Sequence, residues 1–234
     1  MKLLWFGSRG LALDSSQRQR LAALPAPAAL GEQPPGEQRL VVLDLETSGL
    51  NLRRDLVLSI GAVVIEHGAI DLGQQFEVTL QRAAQPLGES VLIHGIAPSA
   101  LAAGREPAQA LLEFLEFLGP SPLLAFHAGF DQRMLARALR QSLGHRLQHS
   151  FLDVAELAPM LLPQRRPRHG GLDDWAEALH LQVQQRHHAS ADALATAEMA
   201  LMLFRHARNQ GIDSLSELAA RLDSWRRRER IQRL

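Results

Sequence analysis

The 234-residue chain contains no cysteine, which excludes disulfide bonds and thiolate metal sites. A bound metal ion must therefore take its ligands from oxygen atoms or histidine nitrogens. Lysine is nearly absent too, because Lys2 is the only one and every other side chain with a fixed positive charge is arginine. Acidic and basic residues balance at 25 each, so the net charge neither indicates nor excludes a nucleic-acid partner.

Long apolar runs are also missing. No stretch of the chain approaches the roughly 20 apolar residues that a membrane span requires. The apolar start at residues 1–6 is too short for a secretion signal, since Gly7, Ser8 and Arg9 interrupt it. With 46% hydrophobic and 21% charged residues, the composition is that of an ordinary globular protein. We therefore expect a cytoplasmic protein without a membrane partner.

The chain divides into three parts by composition. Residues 1–38 are expected to form an appendage, with a short helix over residues 14–24 and then a linker rich in proline and glycine. The main domain is expected over residues 39–210. Residues 211–234 resemble a terminal helix that becomes strongly basic.

The pattern of apolar residues in the main domain predicts an α/β fold. Three antiparallel strands come first, and short strands then alternate with amphipathic helices, which predicts a mixed five-stranded sheet with helices packed on it. Strands are predicted over residues 40–43, 56–65, 70–80, 123–126 and 150–153. Helices are predicted over residues 107–118, 172–181 and 190–208, and from Asp131 onward.

Asp44 and Glu46 follow the first buried strand. Positions two apart in a strand point to the same face, so these carboxylates would repel each other unless a cation neutralised them. Mg²⁺ and Mn²⁺ suit such oxygen ligands. Taken alone, the pair is more typical of a strand that simply ends in water.

Three further residues fit the same chemistry. Asp131 and Asp192 each lie near the start of a predicted helix, where an aspartate often only caps the helix. His187 precedes Asp192 by five residues in the loop before its helix. Each residue by itself has an ordinary explanation, and the order of all five is what points to a function.

This order resembles the DEDD superfamily of 3′–5′ exonucleases, in its histidine-bearing branch. That branch includes the epsilon proofreading subunit of bacterial DNA polymerase III, ribonuclease T and oligoribonuclease. The resemblance runs from about residue 39 to about residue 208. Further matches to the family lie at residues 44–50, 55–63, 94–96, 130–131 and 193–197. In one departure, Phe126 and His127 stand where the epsilon subunit has a His-Asn pair, which leaves the exact substrate open.

The resemblance implies a ribonuclease-H-like fold and a two-metal phosphodiesterase. Asp44, Glu46, Asp131 and Asp192 would hold two Mg²⁺ or Mn²⁺ ions, and His187 would act as the general base. His188 is the rival base, although its spacing to Asp192 is one residue shorter than in the family. The product would be a nucleoside 5′-monophosphate.

The resemblance also implies contacts to the terminal nucleotide. These contacts would come from Thr47, Ser48, Gly49, Leu50, Glu89 and His94. Two basic clusters could bind phosphates or merely be solvated. They are a loop with Arg165, Arg166 and Arg168, and a terminal helix with Arg226, Arg227, Arg228, Arg230 and Arg233.

Several functions remain open at this point. The leading prediction is an exonuclease that acts on the 3′ ends of single-stranded DNA. The alternatives are an RNA-directed 3′–5′ exoribonuclease, a non-catalytic nucleic-acid-binding module, and a subunit that docks on a DNA polymerase.

Overall fold

The computed structural model describes residues 13–82, 95–183 and 186–232. The strands are β1 Leu40–Thr47, β2 Val57–Glu66, β3 Ala69–Thr79, β4 Leu123–Ala125 and β5 Phe151–Asp153. The helices are α1 Ser15–Ala22, α2 Pro98–Ala102, α3 Pro107–Leu118, α4 Ala128–Leu143, α5 Val154–Leu161, α6 Leu172–Leu179, α7 Ala189–Asn209 and α8 Leu215–Gln232. A short 3₁₀ helix covers Pro163–Arg165.

The sheet has the strand order β3-β2-β1-β4-β5. β1 pairs antiparallel with β2, and β2 with β3, whereas β4 and β5 run parallel to β1. The prediction of a mixed five-stranded sheet that begins with three antiparallel strands is therefore confirmed. Because β1, β4 and β5 are parallel, their carboxyl-terminal ends lie at one edge of the sheet.

Helices cover both faces of the sheet, which explains why β1 begins as an unbroken apolar run. Successive side chains of a strand point to opposite faces. Leu40 and Val42 accordingly lie in a core that includes α5, α6, α7 and α8. Val41 and Leu43 lie in a second core with α3 and α4. The next positions on the first of these faces belong to Asp44 and Glu46, so both acids face the side of the sheet that α7 covers.

Gly61 of β2 allows α7 to begin directly against the sheet. A Cβ atom at this position would lie 2.1 Å from the carbonyl carbon of Ala189 and 2.2 Å from the nitrogen of Ser190. Non-bonded atoms do not approach so closely, so a side chain here would force the helix away. Gly61 is also the sheet partner of Asp44. The first turn of α7 is thereby held beside the acids of β1.

The helix predicted from Asp131 onward begins earlier, at Ala128. The predicted start was wrong because His127 adopts a left-handed conformation, with φ of 60°, just after β4. Its N–H donates a hydrogen bond to Asp153 Oδ1 at 3.1 Å. The chain therefore turns from strand into helix within two residues, and Asp131 falls inside the first turn.

Both end segments pack on the central part of the chain. Arg20 of α1 forms an ion pair with Glu116 of α3 at 2.6 Å. Helix α8 buries three leucines in the same core as α7, namely Leu215, Leu218 and Leu222. The division at residues 38 and 210 stays a prediction. No helix in the described part of the chain is long and apolar enough to cross a membrane.

Candidate active site

Three carboxylates meet between β1 and α7. Asp44 and Glu46 share one face of β1, as their spacing predicts. Asp192 is buried in the first turn of α7. One oxygen from each of these three side chains lies within 4.8 Å of the others. The structure thus brings together residues that are far apart in the sequence.

Asp131 approaches from the opposite side of β1. It lies in the first turn of α4 and is 5% exposed. It is not one of the three side chains within 4.8 Å of one another. Its charge nevertheless acts on Asp44, where it is the largest influence after burial. A backbone hydrogen bond from Leu45 of β1 holds its carboxyl group.

The crowding of these acids changes their protonation. Burial first, and then the charges of Asp131, Asp192 and Glu46, raise the pKa of Asp44 well above its usual value. Burial and the charge of Asp192 also raise the pKa of Glu46. Burial raises the pKa of Asp131 to about 8, with a further contribution from Asp153. The acids resist ionising together because each disfavours the charge of the next.

The donor set fits a divalent cation. Only carboxylate oxygens make up the group of three, and oxygen is the ligand that Mg²⁺ and Mn²⁺ prefer. A cation among them would reverse the repulsion that raises the pKa of Asp44. Asp44, Glu46 and Asp192 could hold such an ion, and Asp131 is close enough to add a fourth charge.

The two histidines before α7 have different surroundings. His187 has a left-handed backbone, with φ of 62°, and its N–H donates to Asp192 Oδ2 at 3.2 Å. His188 is held towards β3, because its Nε2 lies 3.2 Å from Glu77 Oε1 and its Nδ1 lies 3.1 Å from Ser190 Oγ. Both imidazoles are near Glu46, since the charge of each lowers the pKa of the Glu46 carboxyl group. His188 is the histidine that is already engaged elsewhere.

The loop after β1 is braced internally. The Ser48 hydroxyl accepts a hydrogen bond from the Leu56 N–H at 2.9 Å, and the Thr47 hydroxyl donates to the Gly49 carbonyl at 3.0 Å. Leu50 is 83% exposed at the tip of the loop. The sequence did not single out Asp55, whose carboxylate accepts from the Asn51 N–H and steadies the same loop.

Two of the predicted nucleotide contacts, Glu89 and His94, lie outside the described residues. Two other functional neighbours were missed by the sequence reading. Arg186 forms ion pairs with both Asp173 of α6 and Asp192 of α7. Asp153 caps α5 through the Ala155 N–H and also holds the turn after β4. The only sequence signal for Arg186 is a basic residue next to the predicted base.

A cleft of about 660 Å³ is lined by β5, the start of α4 and α8, and none of the four acids lines it. Its wall includes the start of α4 and Asp153, whose charge contributes to the raised pKa of Asp131. The two predicted basic clusters meet here across the cleft, through Arg166, Arg168, Arg226 and Arg230. Of these, Arg226 is already paired with Glu156, and Arg166 with Glu229.

Comparison with known proteins shows the family to which the chain belongs. A family described as exonuclease, of the RNase T type, matches residues 41–200. The chain belongs to this family. The expected membership of the DEDD superfamily of 3′–5′ exonucleases is therefore confirmed, and with it the class of enzyme.

Individual relatives are larger proteins. The chain is 33% identical to PolC-type DNA polymerase III of Thermotoga maritima over 183 residues, which covers 78% of this chain and 13% of that protein. It is 26% identical over 196 residues to the PolC-type polymerase of Bacillus subtilis, covering 82% of this chain and 13% of the relative. The chain thus spans about an eighth of the length of these relatives.

Solved structures share the fold. Exonuclease I of E. coli, in complex with a dT13 oligonucleotide, superposes with a TM-score of 0.62 at 18% identity. The match covers 74% of this chain and 42% of that chain.

The raised pKa of Asp131 predicts a specific pH dependence of stability. In the folded protein the pKa of Asp131 is about 8. In the unfolded chain the pKa of an aspartate is about 3.9. The unfolded state binds fewer protons between these values, so the stability of the metal-free protein falls as pH rises through this window. Asp131→Asn removes this pH dependence, because asparagine does not ionise.

We therefore expect Asp131→Asn to gain stability over the wild type between pH 5 and pH 8, by up to about 1.4 kcal/mol per pH unit. Denaturant unfolding in EDTA measures the difference. Asp71→Asn is the control, since Asp71 is exposed and its pKa is lowered by bonds from Gln74 and Gly73. An Asp131→Asn difference that does not grow with pH would contradict the account.

Proposed function

We propose that the chain is a metal-dependent 3′–5′ exonuclease that removes terminal nucleotides from single-stranded DNA as nucleoside 5′-monophosphates. The observation that carries the proposal is the group of three carboxylate oxygens within 4.8 Å of one another. Asp131 adds a fourth acid that resists ionising without a cation. A binding module without catalysis would have no use for so many mutually repelling charges.

In this mechanism, Asp44, Glu46, Asp131 and Asp192 would hold two divalent ions. When bound, the ions lower the pKa of a water and neutralise charge on the phosphoryl oxygens. His187 would take the proton of that water, because its imidazole is close enough to lower the pKa of Glu46. The water oxygen forms a bond to phosphorus while the bond from phosphorus to the 3′ oxygen of the penultimate nucleotide breaks. That 3′ oxygen takes up a proton from solvent, so the shortened strand ends in a new 3′ hydroxyl.

The loop after β1 is the proposed site of the terminal nucleotide. Exposed Leu50 would pack against the base, and the main chain of residues 47–49 would bind the sugar. The braces from Asp55 hold this loop in place. Glu89 and His94 remain sequence-based candidates for the same nucleotide.

The choice of DNA rests on the relatives. The polymerases that the chain resembles are DNA polymerases, and exonuclease I was solved with a deoxyoligonucleotide. The polymerase relatives also support docking on a DNA polymerase as a second role. RNA remains the alternative substrate, since main-chain contacts to the sugar could accept a 2′-hydroxyl. A cytoplasmic location remains a prediction from the sequence.

Degradation of oligonucleotides tests the proposed reaction. Purified protein with Mg²⁺ or Mn²⁺ should shorten 5′-labelled single-stranded DNA from its 3′ end and release nucleoside 5′-monophosphates. Asp44→Asn and EDTA should each abolish the ladder. RNA of the same sequence should be shortened more slowly. A faster reaction with RNA would reassign the substrate, and binding without shortening of either strand would contradict the proposed enzyme.

The paired histidines provide a matched test of the general base. We expect His187→Ala to lower kcat by about 10²–10⁴-fold, the usual contribution of acid–base catalysis. His188→Ala should change kcat by no more than a few-fold, because its imidazole faces Glu77. Single-turnover rates on labelled DNA measure both. A larger loss of kcat in His188→Ala than in His187→Ala would make His188 the general base.

The cleft lined by β5, the start of α4 and α8 is the proposed path of the strand upstream of its 3′ end. Arg168 and Arg230 line it from two elements. Loss of each phosphate contact should reduce the slope of log K against log salt by about 0.7 for a single strand. We expect the double variant Arg168→Ala/Arg230→Ala to have a smaller slope, by about 0.7 for each of the two arginines. Fluorescence anisotropy over a range of salt concentrations, with EDTA present, measures the slope.

Arg221→Ala is the control, since it lies on α8 outside the cleft and pairs with Glu217. Its slope should match that of the wild type. An unchanged slope in the double variant would show that the strand does not follow the cleft. It would leave the proposed metal site at the carboxylates untouched.

A further inference from the structure

Arg186 occupies an unusual position beside the acidic group. Its side chain is 24% exposed and lies between two helices. The guanidinium Nη1 pairs with Asp192 Oδ1, and its Nε and Nη2 contact the two oxygens of Asp173. One cation therefore bridges an acid of α6 and a proposed metal ligand of α7.

The charge of Arg186 reaches the rest of the group. Burial and neighbouring acids raise the pKa of Asp44 and of Glu46, and Arg186 opposes both shifts. The positive charge of Arg186 thus does part of what a bound metal ion would do among these acids. Its planar guanidinium stays charged when half-buried, which suits it to this role.

Both oxygens of Asp192 are engaged in this arrangement. Oδ1 forms the ion pair with Arg186, and Oδ2 accepts a hydrogen bond from the backbone N–H of His187. A guanidinium and a divalent ion at the same carboxylate oxygen would repel each other, because both are positively charged. The ion pair with Arg186 and the binding of a metal ion by Asp192 Oδ1 therefore weaken one another.

We propose that Arg186 is a built-in counter-ion of the acidic group, which neutralises Asp192 before metal binding and competes with a metal ion for its Oδ1. The inference rests on the proposed metal site. Asp173 gives the departing guanidinium a second partner, so Arg186 has a place to remain. Because His187 is the next residue, release of Arg186 would be coupled to the position of the general base.

A purely structural role would make Arg186 a clamp between α6 and α7. Two variants separate these roles because they change the competition in opposite directions. Arg186→Gln removes the competing cation. Asp173→Asn keeps Arg186 and removes its second partner, so that the guanidinium is left with Asp192 alone. A clamp would be lost in both variants, with the same effect on metal binding.

Isothermal titration calorimetry with Mn²⁺ alone, at one fixed pH near neutrality, measures the competition without any reaction. We expect Arg186→Gln to bind Mn²⁺ about tenfold more tightly than the wild type, and Asp173→Asn to bind it several-fold more weakly. Thermal unfolding in EDTA should show a lower Tm for Arg186→Gln, because the acids lose their counter-ion.

Arg226→Gln is the matched control. Arg226 is similarly exposed at 31% and also pairs with two acids, Glu156 and Asp223, but neither belongs to the acidic group. Its Tm should fall while its affinity for Mn²⁺ stays that of the wild type.

The outcomes distinguish this inference from the proposed function. Equal or weaker Mn²⁺ binding by Arg186→Gln, with normal binding by the wild type, would overturn the counter-ion and leave the metal site intact. Binding by Arg186→Gln alone would support the counter-ion strongly. No Mn²⁺ binding by any of the proteins would contradict the metal site itself, and the inference with it.

Discussion

The repulsion among four carboxylates at the end of β1 is the constraint around which the rest of the structure is arranged. Asp44, Glu46, Asp131 and Asp192 come from one strand and two helices, and burial raises the pKa of Asp44 and Asp131 further. Such a group weakens the metal-free fold, so packing elsewhere must hold its members together. Two leucine-rich cores, one on each face of the sheet, provide that packing.

Local backbone features bring the acids into range. Gly61 lets α7 start against β2, which sets Asp192 beside Asp44. The left-handed His127 starts α4 immediately after β4, so that Asp131 meets β1 from the other face. The cleft reaches this edge of the sheet at Asp153, the last residue of β5, whose charge acts on Asp131. In the proposed enzyme, this residue links the site for cations to the path for a strand of phosphates.

Much of this architecture could be predicted from the sequence because periodicity reports burial directly. The apolar run before Asp44 predicted β1, and a period of two placed Asp44 and Glu46 on one face. The start of α4 could not be predicted, since a left-handed histidine stabilised by Asp153 leaves no periodic signal. Arg186 was missed because its contacts join residues of α6 and α7, whose approach depends on tertiary packing. The basic composition of α8 likewise concealed its buried leucines.

The most direct test of the account is anomalous diffraction from crystals grown with Mn²⁺ and a nucleoside 5′-monophosphate. We predict two manganese peaks between Asp44, Glu46, Asp131 and Asp192, with the phosphate bound to both ions and the His187 imidazole facing it. Manganese bound elsewhere, or an acidic group that remains occupied by Arg186 at saturating Mn²⁺, would contradict it.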